Sequence, residues 1–278
     1  MKKFLLWFLA FVITLSAAIY QRETGPTYPK KFTVTINDIK YKLKLVRGLA
    51  LNEKSEVKLN ITDHSVKVRL FFKRFKSKDE YQVADFNYRA ESKKEVFFAE
   101  VPQQPAAGKL QYYLEITDLK GTNTYLKESP VVIRFKGGVP ALVLIPHILF
   151  MFLAMLFSTA AGLMAVVKFP VYKKYALWTL ILIIAGGFLL GPIVQYYAFG
   201  ELWTGIPFGW DLTDNKTLIA LVFWVLAIVI NRKKEQPLYT VLAAFILLLV
   251  FSIPHSLFGS ELNLTSGQVT QGFIMNFF

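Results

Sequence analysis

Apolar residues fall into three blocks along the chain. Residues 4–20 form a nearly unbroken apolar run. Residues 22–137 alternate between apolar and polar positions. From residue 138 onward long apolar runs return, separated by short polar breaks. The first run has about 17 residues, enough to cross a hydrocarbon core of about 30 Å with some thinning. It predicts an N-terminal segment, residues 1–21, that acts as a signal anchor or as a cleaved signal peptide. Ser16 and Ala18 form a small-x-small pair that suits cleavage. The last block, residues 138–278, predicts a transmembrane bundle of four helices. The expected spans are about 139–167, 176–199, 214–231 and 237–255.

The middle block reads as strands. FTVTI (32–36), YKLKLV (41–46), VKLNI (57–61) and VKVRLFF (66–72) each alternate, which marks a strand buried on one face. Further runs lie at 96–101, 110–116 and 131–135. Asn37-Asp38, 105–108 and 119–121 supply turn residues between them. About seven short strands over roughly 100 residues predict an antiparallel β-sandwich spanning 22–137. The segment GKLQYYLEITDLKG (108–121) resembles the F strand and F–G turn of immunoglobulin and fibronectin type III domains. That resemblance implies a fold and carries no activity. The fold class expected is thus a membrane protein, α plus β, with an N-terminal anchor, an immunoglobulin- or fibronectin-III-like sandwich outside and a helical bundle.

Charge fixes the expected orientation. Lys2 and Lys3 precede the first run, Lys168, Lys173 and Lys174 follow the second, and Arg232, Lys233 and Lys234 follow the fourth. Short loops rich in Lys and Arg stay cytoplasmic. All three clusters agree with one topology, which puts the β domain and the C-terminus on the outer, periplasmic side of a bacterial inner membrane. The net charge of +13 is concentrated in the middle block, for example at Lys73, Arg74, Lys76, Lys78, Lys93 and Lys94. On the periplasmic side nucleic acid is excluded as a partner. The chain has no cysteine, so disulfides, thiolate metal sites and lipid-modified cysteine are excluded.

Candidate chemistry gathers where the bundle meets the outer face. Ile145-Pro146-His147-Ile148-Leu149-Phe150 is echoed by Ile253-Pro254-His255-Ser256-Leu257-Phe258. At 1.5 Å per residue His147 sits roughly 10 Å into a descending helix and His255 roughly 27 Å up a rising one, so both fall at similar depth. Ionisable groups inside a membrane are costly and mark functional sites. The two imidazoles are candidate ligands of haem b or a transition metal. Around them the same reasoning places Gln195, Tyr197, Trp203, Asp211, Asp214, Asn215, Lys216 and Glu261 as pocket candidates. Trp203 also suits an interfacial belt, Thr213 or Asp214 suits a helix cap, and Lys216 suits snorkelling to headgroups. Gly187 and Gly191 form a G-x-x-x-G step, and Ser158, Ala161, Gly162 and Ala165 a small face, both suited to close helix packing.

No nucleotide-binding, serine-hydrolase, zinc-protease or c-type haem motif occurs. The expectation is a non-enzymatic membrane subunit embedded in the bilayer, binding another membrane or periplasmic protein through its β domain. Two alternatives stand beside it. One is a redox component holding haem b or a metal on His147 and His255. The other is a small-molecule or ion-binding membrane protein.

Overall fold

The computed structural model describes residues 1–91, 94–255, 257, 261–264, 266, 267, 269 and 270. Lys93, and Ser256 and Phe258 of the second Ile-Pro-His segment, lie outside the described residues. The fold is α plus β and divides into two compact units. One comprises Met1–Pro26 and Val139–Ser260, the other Thr27–Gly138 and Glu261–Thr270.

In the β unit, β1 (Lys30–Ile36) and β2 (Ile39–Leu45) form a hairpin in which Ile36 faces Ile39. Its two turn residues, Asn37 and Asp38, both have positive φ. That is the geometry whose twist matches paired strands, and Asn and Asp tolerate it better than other side-chain-bearing residues. A larger sheet runs in the order β3 (Gly48–Ala50), β11 (Val131–Lys136), β9 (Lys109–Asp118), β5 (Lys67–Arg74), β6 (Gln82–Asp85), with β10 (Gly121–Tyr125) also on β9. Only the β11–β3 pairing in it is parallel. A third sheet has the order β4 (Glu56–Leu59), β8 (Lys94–Glu100), β7 (Asn87–Glu91).

The inward residues of all three sheets share one core, including Ile36, Leu43, Leu70, Phe97, Tyr112, Leu114, Ile133 and Phe135. Tyr112 is buried at its centre, and its hydroxyl donates to the Val46 carbonyl at 3.0 Å, so no polar atom is stranded there. The expected run of about seven strands becomes eleven among the described residues between 30 and 136. The additional ones are short or edge strands, such as β6 and β10, whose largely solvated faces carry no clear alternation.

A final pair, β12 (Glu261–Leu262) and β13 (Val269–Thr270), also belongs to this unit. The Leu262 N–H donates to the Ala107 carbonyl at 3.2 Å. Glu261 Oε2 accepts from Lys109 at 3.1 Å and from Lys76 at 3.2 Å. Burial pushes the Glu261 carboxyl up, but the two ammonium groups outweigh it and hold it below the ordinary carboxylate value. At Lys109 burial wins instead and lowers the ammonium.

The helical unit contains α1 (Lys2–Glu23), α2 (Ala141–Val166), α3 (Tyr172–Ile183), a π-helical turn (Ile184–Leu190), α4 (Gly191–Phe199), α5 (Leu212–Lys233) and α6 (Pro237–Ser252). Four segments are long and apolar enough to cross a membrane: Lys2–Glu23, Ala141–Val166, Tyr172–Phe199 and Leu212–Lys233. The helix Pro237–Ser252 is equally apolar but shorter. These features fit a membrane protein. α2 packs against α1, α3 and α6, and α5 packs against α3 and α6. The buried contact faces are small: Ala154, Ser158, Ala161 and Ala165 on α2, and Ala243 and Ala244 on α6. The outward faces are large and apolar, with Phe8, Leu142, Ile145, Phe245 and Leu249 all exposed. This arrangement inverts a water-soluble helix bundle and suits lipid, where close backbone approach rather than apolar burial joins helices.

Pro192 accounts for the π-helical turn. It sits at the start of α4 and has no N–H to give to the preceding turn. The ladder upstream widens, and the Gly191 N–H bonds the Gly186 carbonyl, five residues back. The G-x-x-x-G step is therefore not a plain helical packing face. Gly186 and Gly187 lie inside the π turn, and a Cβ at Gly187 would come 2.5 Å from Thr217 Cγ2 on α5.

Candidate functional site

The candidate site forms at the N-terminal end of α5. Asp211 is the helix cap: its Oδ1 accepts from the Thr213 N–H at 2.8 Å and the Asp214 N–H at 3.3 Å. Capping by Thr213 or Asp214 was the expectation. The helix begins one turn earlier, because the Asp211 carboxylate meets amide donors that would otherwise be left bare.

Asp214 is then free to hold the preceding loop. Its Oδ2 accepts from the Thr204 N–H at 2.6 Å and from the Thr204 hydroxyl at 3.2 Å. Gln195 Nε2 donates to the same hydroxyl at 2.6 Å. Asn215 Oδ1 accepts from the Ile206 N–H at 2.8 Å. Trp203 donates to the Ile206 carbonyl and stacks on Phe188, with ring centroids 5.3 Å apart. Gly205 must be glycine here, since a Cβ would come 2.6 Å from Asp214 Cβ. Four of the candidates, Gln195, Trp203, Asp214 and Asn215, thus spend their polar atoms on fixing the loop against α4 and α5.

Lys216 is different. It is 2% exposed, and its Nζ donates to the Ile253 carbonyl at 2.8 Å, just past the end of α6. Among the described residues no carboxylate lies within ion-pair distance of it. Asp211 and His255 both lie within electrostatic range of it.

His147 lies half-buried on α2, and its Nδ1 is 2.9 Å from the Gly186 carbonyl. A carbonyl only accepts, so the proton is on Nδ1 and Nε2 carries the free lone pair. His255 interacts electrostatically with both Lys216 and His147. The fold therefore gathers His147, Lys216, His255 and Asp211 from α2, α5 and the segment after α6.

Two candidates stand apart. Tyr197 is exposed and has its ring edge-on to Tyr196. Glu261 belongs to the β unit, on Lys76 and Lys109. Among the described residues no group of three or more His, Cys, Asp or Glu side chains is placed to hold a metal ion. A metal there would have the two imidazoles as its ligands from this chain.

Sequence reasoning missed three participants. Two are backbone carbonyls, Gly186 and Ile253, which carry no residue signature. The third is Thr204. The Gly-Gly segment followed by Pro192 was the available signal for the first of these.

A second polar cluster links the other ends of the helices. The Tyr172 hydroxyl donates to Asn231 Oδ1 at 2.8 Å, and Asn231 Nδ2 donates to the Ala227 and Gln236 carbonyls. Every polar atom of this buried amide has a partner, so it serves packing.

Comparison with known proteins finds no matching family model, no matching curated protein and no matching solved structure.

Proposed function

We propose that this chain is a bacterial inner-membrane protein that binds a small molecule beside Lys216, near the outer face of the bilayer. The β unit, an immunoglobulin- or fibronectin-III-like sandwich, lies on the periplasmic side and serves as the contact surface for a membrane or periplasmic partner. The role is binding rather than catalysis.

The observation that carries the small-molecule reading is Lys216. Taking an ammonium out of water costs several kcal/mol unless a well-placed partner compensates. The hydrogen-bond partner found here is a neutral carbonyl, with Asp211 and His255 within electrostatic range. A helix needing only packing would carry Leu or Met at this position. The periplasmic placement is supported by the three basic clusters and by the membership of Glu261 in the β unit.

The test is native mass spectrometry of the full-length protein released from detergent, as wild type and as Lys216→Met. A small-molecule adduct on the wild type, absent from a folded variant, is the expected result. An adduct-free wild type together with a Lys216→Met variant of equal or greater stability would sink the reading.

One observation favours a second reading, haem b between His147 and His255. Imidazoles that bind metal through Nε2 usually donate Nδ1–H to a carbonyl, as His147 does to Gly186. A Soret band in the purified protein, lost in His147→Ala and in His255→Ala, is its signature. A colourless wild type removes it.

A further inference from the structure

The outer face of the β1–β2 hairpin carries one sign of charge only. The two strands alternate, so Val34, Ile36, Tyr41, Leu43 and Leu45 turn into the core and their neighbours turn out. The cross-strand register sets Lys31 opposite Lys44, Thr33 opposite Lys42 and Thr35 opposite Lys40. All of these outward residues are exposed. Residues two apart on a strand are separated by about 6.8 Å and paired strands by about 4.8 Å. Each ammonium group is therefore within about one Debye length of its nearest neighbours, roughly 10 Å at 0.1 M salt.

Among the described residues none of the four lysines has a carboxylate partner. Lys31 lies over the Tyr28 ring, which leaves its charge in place. Asp38, in the hairpin turn, is taken by Lys120. Elsewhere in the unit Arg69 holds Glu115, Arg74 holds Asp79, Arg89 holds Glu56 and Lys109 holds Glu261. Like charges directly opposite on paired strands destabilise a sheet, and Lys31 and Lys44 are such a pair. A face that only had to stay soluble would mix the two signs. The repulsion is one that an anionic partner outside the chain relieves.

Composition narrows the class of partner. Protein interfaces favour aromatic side chains, Met and Arg, and are poor in Lys. Arg, with its planar fork, grips a carboxylate in two places, whereas Lys is a compact point charge on a flexible stem. This face has Lys and Thr, with no aromatic ring, no Arg and no apolar anchor among its outward residues. Point charges spread over a sheet suit a diffuse anionic surface such as lipid headgroups.

Chain length brings such a surface within reach. Residues 24–29 alone separate the apolar helix α1, ending at Glu23, from β1, beginning at Lys30. At about 3.6 Å per residue this connection spans no more than about 25 Å. With α1 in a bilayer, the start of the hairpin stays that close to the end of the span, and Lys31 is the second residue of the strand.

We infer that the lysine face of the β1–β2 hairpin docks on the anionic phospholipid headgroups of the membrane that holds α1. Lys31, Lys40, Lys42 and Lys44 supply the charge, and Thr33 and Thr35 offer hydroxyls to phosphate oxygens. The attraction depends on lipid charge and weakens with salt. It is independent of the molecule proposed beside Lys216 and rests only on α1 being a membrane span.

The experiment uses full-length protein in nanodiscs of phosphatidylcholine, with or without phosphatidylglycerol, both doped with a lipid spin-labelled at its headgroup. The chain has no cysteine, so Thr33→Cys carries a single fluorophore in the middle of the face and Thr124→Cys, on β10, serves as the reference. The expected result is stronger quenching at Thr33→Cys in the anionic discs. It is lost when salt rises from about 0.1 M to about 1 M, which shortens the Debye length from about 10 Å to about 3 Å. Lys40→Gln, Lys42→Gln and Lys44→Gln together should abolish the lipid dependence without lowering the melting temperature, because they remove repulsion within the face. Where a labelled variant fails to fold, amine-reactive labelling of the wild type decides instead. The four lysines should then be protected in anionic discs and open in neutral ones.

Quenching at Thr33→Cys that ignores lipid charge, or that matches Thr124→Cys in both discs, overturns the proposal. So does a folded triple lysine variant that keeps the lipid dependence. Lysines open in anionic discs yet protected in native membranes overturn it in favour of a protein partner.

Discussion

Glu261 Oε2 lies 3.1 Å from Lys109 Nζ, joining positions 152 residues apart. The contact ties the segment after α6 to the strand unit that lies between α1 and α2. Starting from that unit, the chain returns to the same side only after an even number of crossings. In the proposed topology α2, the α3–α4 segment and α5 make three, and α6 the fourth despite its 16 residues. At 1.5 Å per residue it covers about 24 Å. Because the chain has no cysteine, single cysteines report sidedness directly. In intact cells Ser77→Cys and Ser266→Cys should both react with a membrane-impermeant maleimide, while Lys174→Cys and Lys233→Cys react only after permeabilisation. Protection of Ser266→Cys alone would break this topology.

Glu261→Gln should loosen the terminal strand pair. Both side chains of the Glu261–Lys109 pair are only about one-fifth exposed, and removing the carboxylate leaves Lys109 without its counter-charge. A loss of about 1 kcal/mol is expected for a pair at this depth. Hydrogen exchange at the Leu262 amide, which bonds the Ala107 carbonyl, should accelerate about fivefold, while the strands β5 and β9 keep their protection.

Glu56 gives the β unit a dependence on acid. It is buried and forms a two-pronged pair with Arg89, both contacts at 2.9 Å. The Arg89 hydrogen bond outweighs burial and holds the carboxyl below its ordinary value of 4.5. A depressed folded value means the contribution is full above about pH 4.5 and is lost as pH falls through the lowered value. Wild type should therefore lose stability as the medium is acidified below about 4.5. Glu56→Gln should be the less stable protein at pH 7, and the two should converge in acid. Pulse proteolysis of the full-length protein at both ends of the range measures this.

Gly162 and Ala244 set the approach of α2 to α6. A Cβ on Gly162 would sit 2.6 Å from Ala244 Cβ, closer than two methyl groups can come. Gly162→Ala should destabilise the bundle by about 1–3 kcal/mol, the usual cost of overpacking. Gly162→Ala with Ala244→Gly should recover most of the loss, because the pair then exchanges one methyl for the other. Thermal unfolding of the four proteins in one detergent tests the coupling.

Asp211 caps α5 through two amides. Asp211→Ala should cost about 1 kcal/mol and Asp211→Asn much less, since Asn keeps an accepting oxygen. A thermal shift that ranks the two variants equally would mean the carboxylate charge, rather than the cap, is what matters there.

The sequence by itself determined the apolar helical runs and most of the longer strands, and it singled out His147, His255, Asp211 and Lys216 as candidates. Those properties are written in short windows: hydropathy over about 20 residues, alternation over five, a polar side chain in an apolar run. It did not reveal β6 or β10, which are held by pairing to β5 and β9 rather than by a buried face of their own. It grouped Glu261 with the bundle residues because both lie close in sequence to His255, whereas Lys76 and Lys109 draw it into the strand unit.

Tertiary structure alone decided what each candidate does. Asp214 and Asn215 face loop amides, Lys216 reaches a carbonyl 37 residues away, and His147 meets one 39 residues away. Backbone carbonyls look alike in every sequence. Which of them a side chain meets is fixed only when helices pack and, at Gly186, when Pro192 forces the wider turn that shapes the ladder there.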